Sequence, residues 1–203
     1  MVTVVTVGAF QENCYLVVKD GELAIFDPGD EPERLKAAIA ATGATPRYIL
    51  LTHAHLDHVG AVAALQEHYR VPVCLPKEEL PLLENLPLQC AMFGLPAIPT
   101  PQVDRLLDGG EALPFGTGTI TAVLTPGHSP GGTTYLLDDH AFVGDTIFAG
   151  GVGRTDLWGG SWPTLKASIE AQLFTLPDHV TLYPGHGPTT TVGDERRANP
   201  FFN

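Results

Sequence analysis

Apolar residues recur along the chain in two rhythms, a period of two and a period near 3.6. Val2–Val7 alternates Val with Thr, residues 15–18 and 23–26 are rich in β-formers, and Gly8 and Asp20-Gly21 punctuate them. That predicts an opening run of antiparallel strands. Glu31-Pro32-Glu33 sets acids and a proline at a helix start, Leu35, Ala38 and Ile39 follow at helical spacing, and Gly43 suits the left-handed C-terminal position. Residues 32–42 therefore predict a helix. Residues 48–51 predict a short buried strand, and Val59, Val62, Leu65 and Tyr69 give the next helix its apolar face. Between 73 and 101 prolines at 72, 76, 81, 87, 96, 99 and 101 interrupt every apolar run, which predicts short helices and a surface excursion. Strand patterns return over 103–107, 120–124, 133–137 and 141–143, followed by a Gly-rich loop through Ser161. Pro163 opens a helix carrying Leu165, Ile169 and Leu173, and a last strand over 180–183 precedes a Pro/Gly turn and a polar tail. Strands followed by helices, twice over, predict an α/β fold of two mixed sheets with outer helices. No repeat or linker divides it, so one domain is expected over residues 1–203.

Composition narrows the function. With 203 residues and 44% hydrophobic side chains, the chain can bury a substantial core, and 22 glycines with 18 prolines demand many defined turns. Lys and Arg number 11 against 23 Asp and Glu, a net charge of −12, so a nucleic-acid backbone would meet repulsion. No apolar run reaches the roughly 20 residues that span a bilayer, and the first ten residues lack a cationic export signal. Cys14, Cys74 and Cys90 are odd in number and far apart, which fits a reducing compartment better than a disulfide framework. A cytoplasmic protein that binds neither membrane nor nucleic acid is expected.

Candidate chemistry lies where strands end. Predicted strands run directly into Thr52-His53, Thr125-Pro126-Gly127-His128, Gly144-Asp145 and Pro184-Gly185-His186. If those strands share an edge, four ligand residues converge on loops held by a rigid scaffold. The first segment continues as His53-Ala54-His55-Leu56-Asp57-His58. His53 and His55 project to one side of an extended backbone, whereas Asp57 and His58 open a helix and turn elsewhere, so one stretch can serve two neighbouring ions. Imidazole and carboxylate without thiolate suit zinc, iron or manganese, and a carboxylate such as Asp145 can bridge two cations. His68, His140 and His179 lie outside the pattern.

The order His53, His55, Asp57, His58, His128, Asp145, His186 resembles the metallo-β-lactamase superfamily, whose motif is H-x-H-x-D-H. The resemblance spans nearly the whole chain, from Phe26-Asp27-Pro28-Gly29 to Pro184-Gly185-His186-Gly187-Pro188. It implies a four-layer αβ/βα sandwich. It further implies that His53, His55 and His128 hold one metal, that Asp57, His58 and His186 hold a second, and that Asp145 bridges them. Asp27 matches an acidic position that orients a ligand histidine, with loop capping as the other reading. The stretch from Gly144 to Asp156 and the tail from Pro184 to Phe201 resemble small glyoxalase II-like hydrolases, which act on hydroxyacylglutathione thioesters. Only 17 residues follow His186, too few for the helical domain that recognises glutathione in full-length glyoxalase II.

The expected activity is hydrolysis of a small-molecule thioester by hydroxide held on two divalent ions, zinc foremost, with Asp57 and Asp145 as the catalytic carboxylates. Water on such ions ionises near neutral pH, and a thiolate departs without the protonation that an amide nitrogen needs. Arg154 and Asp156 are expected to order the Gly-rich loop by pairing with each other or with nearby groups, and a substrate carboxylate is a further candidate partner for Arg154. No Gly-x-Ser-x-Gly elbow is present, and Gly150-Gly151-Val152-Gly153 lacks phosphate-loop spacing. The rival is an oxygenase: His53, His128 and Asp145 would suit mononuclear iron, and the superfamily's persulfide dioxygenases carry a segment like Gly153-Arg154-Thr155-Asp156.

Overall fold

A computed structural model describes residues 1–202. Two six-stranded sheets form in chain order, the first half of the chain building one and the second half the other. In the first, β1 (Val2–Val7), β2 (Glu12–Lys19) and β3 (Glu22–Phe26) pair antiparallel, then β4 (Thr45–Leu50), β5 (Val73–Pro76) and β6 (Arg105–Leu107) add in parallel. The second contains β7 (Ala112–Phe115), β8 (Gly118–Leu124), β9 (Thr133–Leu137) and β10 (His140–Gly144) as an antiparallel meander. A small hairpin, β11 (Ile147–Phe148) with β12 (Gly151–Val152), stands apart, and β13 (Thr181–Pro184) then joins β10 in parallel with β14 (Thr190–Thr191) at the edge. Both sheets are mixed, as the strand and helix order predicts.

Alternation along the strands separates three cores. In β2 and β3, Cys14, Leu16, Leu23 and Ile25 face outward against α1 (Pro32–Thr42) and α3 (Val62–Tyr69), which contribute Leu35, Ile39, Val62 and Leu65. Their neighbours Tyr15, Val17, Ala24 and Phe26 face inward and meet Leu113, Ile120, Tyr135 and Phe142 of the second sheet. Ala141, Val143 and Leu182 face outward again, beneath Leu165 of α6 (Trp162–Ser168), Ile169 and Leu173 of the π-helical turn that extends it, and Val192 of α7 (Val192–Ala198). Three buried interfaces between four layers make an αβ/βα sandwich, and strands buried on both faces read as nearly continuous apolar runs.

Differences from the expected elements have local causes. Gly60 and Ala61 divide the helix expected near 59–69 into α2 (Leu56–Val59) and α3. The Pro-broken region does hold α4 (Leu80–Glu84) and α5 (Leu86–Met92), but Val73–Pro76 within it is a fully buried strand. The polar tail contains α7, started by Thr191, whose hydroxyl accepts from the Asp194 N–H at 3.1 Å. Among the described residues no helix is long and apolar enough to cross a membrane.

Candidate metal centre

The ligand-bearing loops converge at one rim, but from both sheets. β4 of the first sheet leads into His53, and β8, β10 and β13 of the second lead into His128, Asp145 and His186. Backbone and side-chain bonds lock the loops together: Thr133 N–H donates to Thr52 C=O at 2.9 Å, and the Tyr135 hydroxyl donates to Leu51 C=O at 2.8 Å. Between the sheets, Phe26 stacks on Phe142 at 4.2 Å between ring centroids. The turn before His128 needs Gly127, whose φ of +130° and whose contact with the Leu165 backbone of α6 leave no room for a Cβ.

All seven expected residues meet here. His53, His55 and His128 offer ring nitrogens within 4.8 Å of one another, as do ligand atoms of Asp57, His58 and His186, and of His53, His58 and Asp145. Asp145 lies between them, with Oδ1 3.5 Å from His58 Nε2 and Oδ2 3.6 Å from both His128 Nε2 and His186 Nε2.

Hydrogen bonding at the back of the rings settles which nitrogen faces inward. His128 Nδ1 lies 2.7 Å from Arg154 C=O and His186 Nδ1 lies 3.1 Å from Phe10 C=O. A carbonyl only accepts, so both Nδ1 atoms are protonated and both Nε2 lone pairs point into the site. Asp27, left-handed at φ 45° after β3, accepts from the Thr52 N–H at 2.7 Å and the Thr52 hydroxyl at 2.6 Å, and His58 Nδ1 lies 3.1 Å away. Having spent its one proton on Asp27, the Thr52 hydroxyl accepts from His53 Nδ1 at 3.0 Å. His53 Nε2, His58 Nε2 and Asp145 Oδ1 are left buried and without a hydrogen-bond partner. Buried polar atoms are rarely left so. Two imidazole nitrogens fixed from behind and a carboxylate oxygen, all unsatisfied in front, fit a metal ion, and beside them His128 Nε2 meets His55 Nδ1 at 2.9 Å and His186 Nε2 meets Asp57 Oδ2 at 3.2 Å.

Electrostatics of the metal-free cluster agree. Burial pushes His53 well below the usual imidazole range, reinforced by His58, and burial with His128 takes His55 down to about 3. Burial would also lower His58, but the carboxylates of Asp145 and Asp57 more than reverse it. Burial would raise Asp145, yet His58 and its neighbours hold it below the ordinary carboxylate range. A proton on His58, ringed by carboxylates, thus stands where positive charge is wanted.

Three supporting residues carry no signal in the sequence. Glu79, fully buried, accepts from the Ala54 N–H at 2.9 Å and the Gly131 N–H at 2.6 Å, tying the His53–His58 loop to the one after His128. Gln89 of α5 donates to Ala54 C=O at 3.0 Å and accepts from the Leu56 N–H at 3.0 Å. Glu12 starts β2, is 1% exposed, and has neither oxygen hydrogen-bonded, with Oε1 3.9 Å from His58 Nδ1. Arg154 pairs with Asp156 at 2.8 Å through both Nε and an Nη, as expected for the ordering of the Gly-rich loop. His68, His140 and His179 bond or pack elsewhere, against Tyr69, Tyr183 and Asp139.

A profile of the metallo-beta-lactamase superfamily matches residues 7–186. A probable metallo-hydrolase, YqgX of Bacillus subtilis, is 41% identical over 97% of this chain and 95% of its own. Hydroxyacylglutathione hydrolase GloC of Haemophilus influenzae is 41% identical over 100% and 98% respectively. Among solved structures, the B3 metallo-beta-lactamase BLEG-1 superposes with a TM-score of 0.94 at 39% identity, covering 100% of both chains. TTHA1623 in a di-iron-bound form gives a TM-score of 0.91 at 46% identity over 98% and 99%. The chain belongs to the metallo-beta-lactamase superfamily, and it is a metal-dependent hydrolase of that class.

Proposed function

We propose that the protein hydrolyses the thioester of a small molecule, with His53, His55 and His128 holding one divalent cation, Asp57, His58 and His186 a second, and Asp145 shared between them. Two cations supply water that ionises near neutral pH and polarise the acyl carbonyl. Asp57, at the cavity floor, accepts a proton of the attacking water in a hydrogen bond and so directs its lone pair at the carbonyl carbon. Asp145, buried, keeps the two groups of imidazoles in register and balances their charge. These two are the catalytic carboxylates. Zinc suits the nitrogen and oxygen donors, iron and manganese also suit them, and TTHA1623 in its di-iron-bound form supports iron.

The composition of the cavity carries the thioester reading. Beyond the ligand cluster its walls present no Lys, Tyr, Cys, Ser or free carboxyl among the described residues, so no proton donor waits for a basic leaving group. A thiolate needs none. The likeness to GloC supports the same bond type and makes S-lactoylglutathione the first thioester to test. Three free, buried cysteines support a cytoplasmic setting, and the net charge of −12 disfavours nucleic acid as substrate.

The test is metal analysis of the purified protein beside initial rates on S-lactoylglutathione, an acyl-N-acetylcysteamine and a β-lactam. Two ions per chain with thioester turnover, abolished by chelation and restored by metal, is the expected result. One iron per chain with oxygen uptake on glutathione persulfide would overturn it in favour of the oxygenase, and turnover of the β-lactam alone would overturn it in favour of lactamase activity.

A further inference from the structure

In front of the ligand cluster opens a cavity of about 470 Å³, a size ordinary for small-molecule sites. Its floor is the ligand cluster, whereas its walls are almost wholly apolar. Phe10, from the turn between β1 and β2, meets Phe93, after α5, edge to face at 5.5 Å across one side. Phe148 of the small hairpin and Trp158 of the following loop line the walls with them. These side chains are strangely wet for a folded protein: Phe93 is 48% exposed and Trp158 is 61% exposed. Large apolar side chains gathered at one mouth mark a surface meant to be covered.

The few polar groups on the walls are already committed. Gln89 donates to Ala54 C=O and to Leu82 C=O, and its oxygen accepts from Leu56 N–H. The Arg154 guanidinium, itself exposed, bonds Asp156 through two of its five N–H groups, so this cation already faces a carboxylate. Beyond the ligand cluster no Lys and no other Arg lines the cavity among the described residues. A glutathione moiety brings two carboxylates and an ammonium, for which these walls offer one guanidinium already paired with Asp156 and no free carboxylate, so its charged groups would give up water for little return. An uncharged hydrocarbon chain or ring loses nothing by the same transfer and gains from every methylene buried.

We infer that the part of the substrate beyond the scissile carbonyl is apolar and uncharged, so that aliphatic or aryl acyl thioesters of a neutral thiol are preferred to glutathione thioesters. This rests on the thioester reading and narrows the substrate within it. Phe93 and Trp158 are its specificity-determining residues.

The deciding experiment measures kcat/KM of the metal-loaded protein for acetyl to octanoyl N-acetylcysteamine thioesters and for S-lactoylglutathione. The expected result is a rise of about fourfold per methylene until the cavity fills, ending at least about tenfold above S-lactoylglutathione. F93A and W158A, both at well-exposed positions, are expected to flatten that slope. In parallel, the metal-stripped protein is titrated with the non-hydrolysable octyl thioether of N-acetylcysteamine and with S-methylglutathione. Trp158 emission is expected to shift to the blue with the first and not with the second, and the shift is expected to vanish in W158F.

Faster turnover of S-lactoylglutathione, or a slope near zero, would overturn the inference while leaving the thioester reading intact. Turnover of no thioester would remove both. A blue shift that grows with protein concentration in the absence of ligand, together with sedimentation as a dimer, would overturn the inference by assigning the apolar mouth to a second copy of the chain.

Discussion

Asp27 and Glu12 show how much a single carboxylate's surroundings decide. Asp27 receives three hydrogen bonds, two from Thr52 and one from His58, and so fixes the ring that presents Nε2 to the site. In Asp27→Asn the amide nitrogen would face a donor, at either Thr52 or His58. Metal affinity measured by chelator competition is expected to fall about 10- to 100-fold with the fold retained. Glu12 is the opposite case, because burial pushes its carboxyl well above the usual range, with His58 only partly offsetting this, and neither oxygen is bonded. At pH above the ordinary glutamate range folding must hold that carboxyl protonated or bury its charge, a cost that Glu12→Gln removes, and relief of about 1 kcal/mol is expected to raise the Tm of metal-stripped protein by about 2–4 °C at neutral pH. A fall in Tm would show that the carboxylate is satisfied. The seven candidate ligands and Asp27 were legible because each follows a strand end or belongs to a dense His/Asp run. Glu12 was not, since a lone acid at a strand start has no local signature; only the fold sets it against His186, through a backbone bridge across the sandwich.

Among the elements, the turn that carries His128 depends most on a neighbour. Gly127 C=O accepts from the Ser161 N–H at 2.8 Å and Pro126 C=O from the Ser168 hydroxyl at 2.7 Å, so both ends of α6 hold it. A methyl at residue 127 would enter the Leu165 backbone. Gly127→Ala is expected to cost about 1–3 kcal/mol in backbone strain alone and to lower metal stoichiometry along with Tm, as read by calorimetry and metal analysis. Element legibility follows packing. Strands buried on one or both faces with turn residues at their ends, such as β1 to β4, stood out, whereas β7 contains Pro114 and β5 is four residues that follow Pro72 and end on Pro76. Their pairing, not their composition, makes them strands. For α7 a signal did exist, Thr191 three residues before Asp194, and the surrounding polarity masked it.

Across the whole molecule, the end of the sandwich far from the ligands is tied by turns from opposite sheets. Asp20, between β2 and β3, accepts from the Thr117 N–H at 2.8 Å and hydroxyl at 2.7 Å, between β7 and β8, and Lys19 pairs with Asp138 at 2.7 Å. The hydrogen bonds from Thr117 hold the exposed Asp20 carboxyl below its usual range. Because the folded group ionises at lower pH than the unfolded one, its support is full above the ordinary aspartate value and fades as pH falls through the lowered one. Asp20→Asn is therefore expected to lower Tm at pH 7, and the gap from the parent protein to narrow progressively as pH falls below about 4. At the opposite end, the chain passes from one sheet to the other only between β6 and β7. His53, His55, Asp57 and His58 precede that passage, and His128, Asp145 and His186 follow it. Each triplet formed by those seven residues draws on both sides, whereas Glu12, Asp27 and His58 cluster within the leading half. Under the proposed ligand set neither half of the chain alone carries all the donors of either ion, so a bound cation would act as a rivet joining two separately written pieces of one polypeptide.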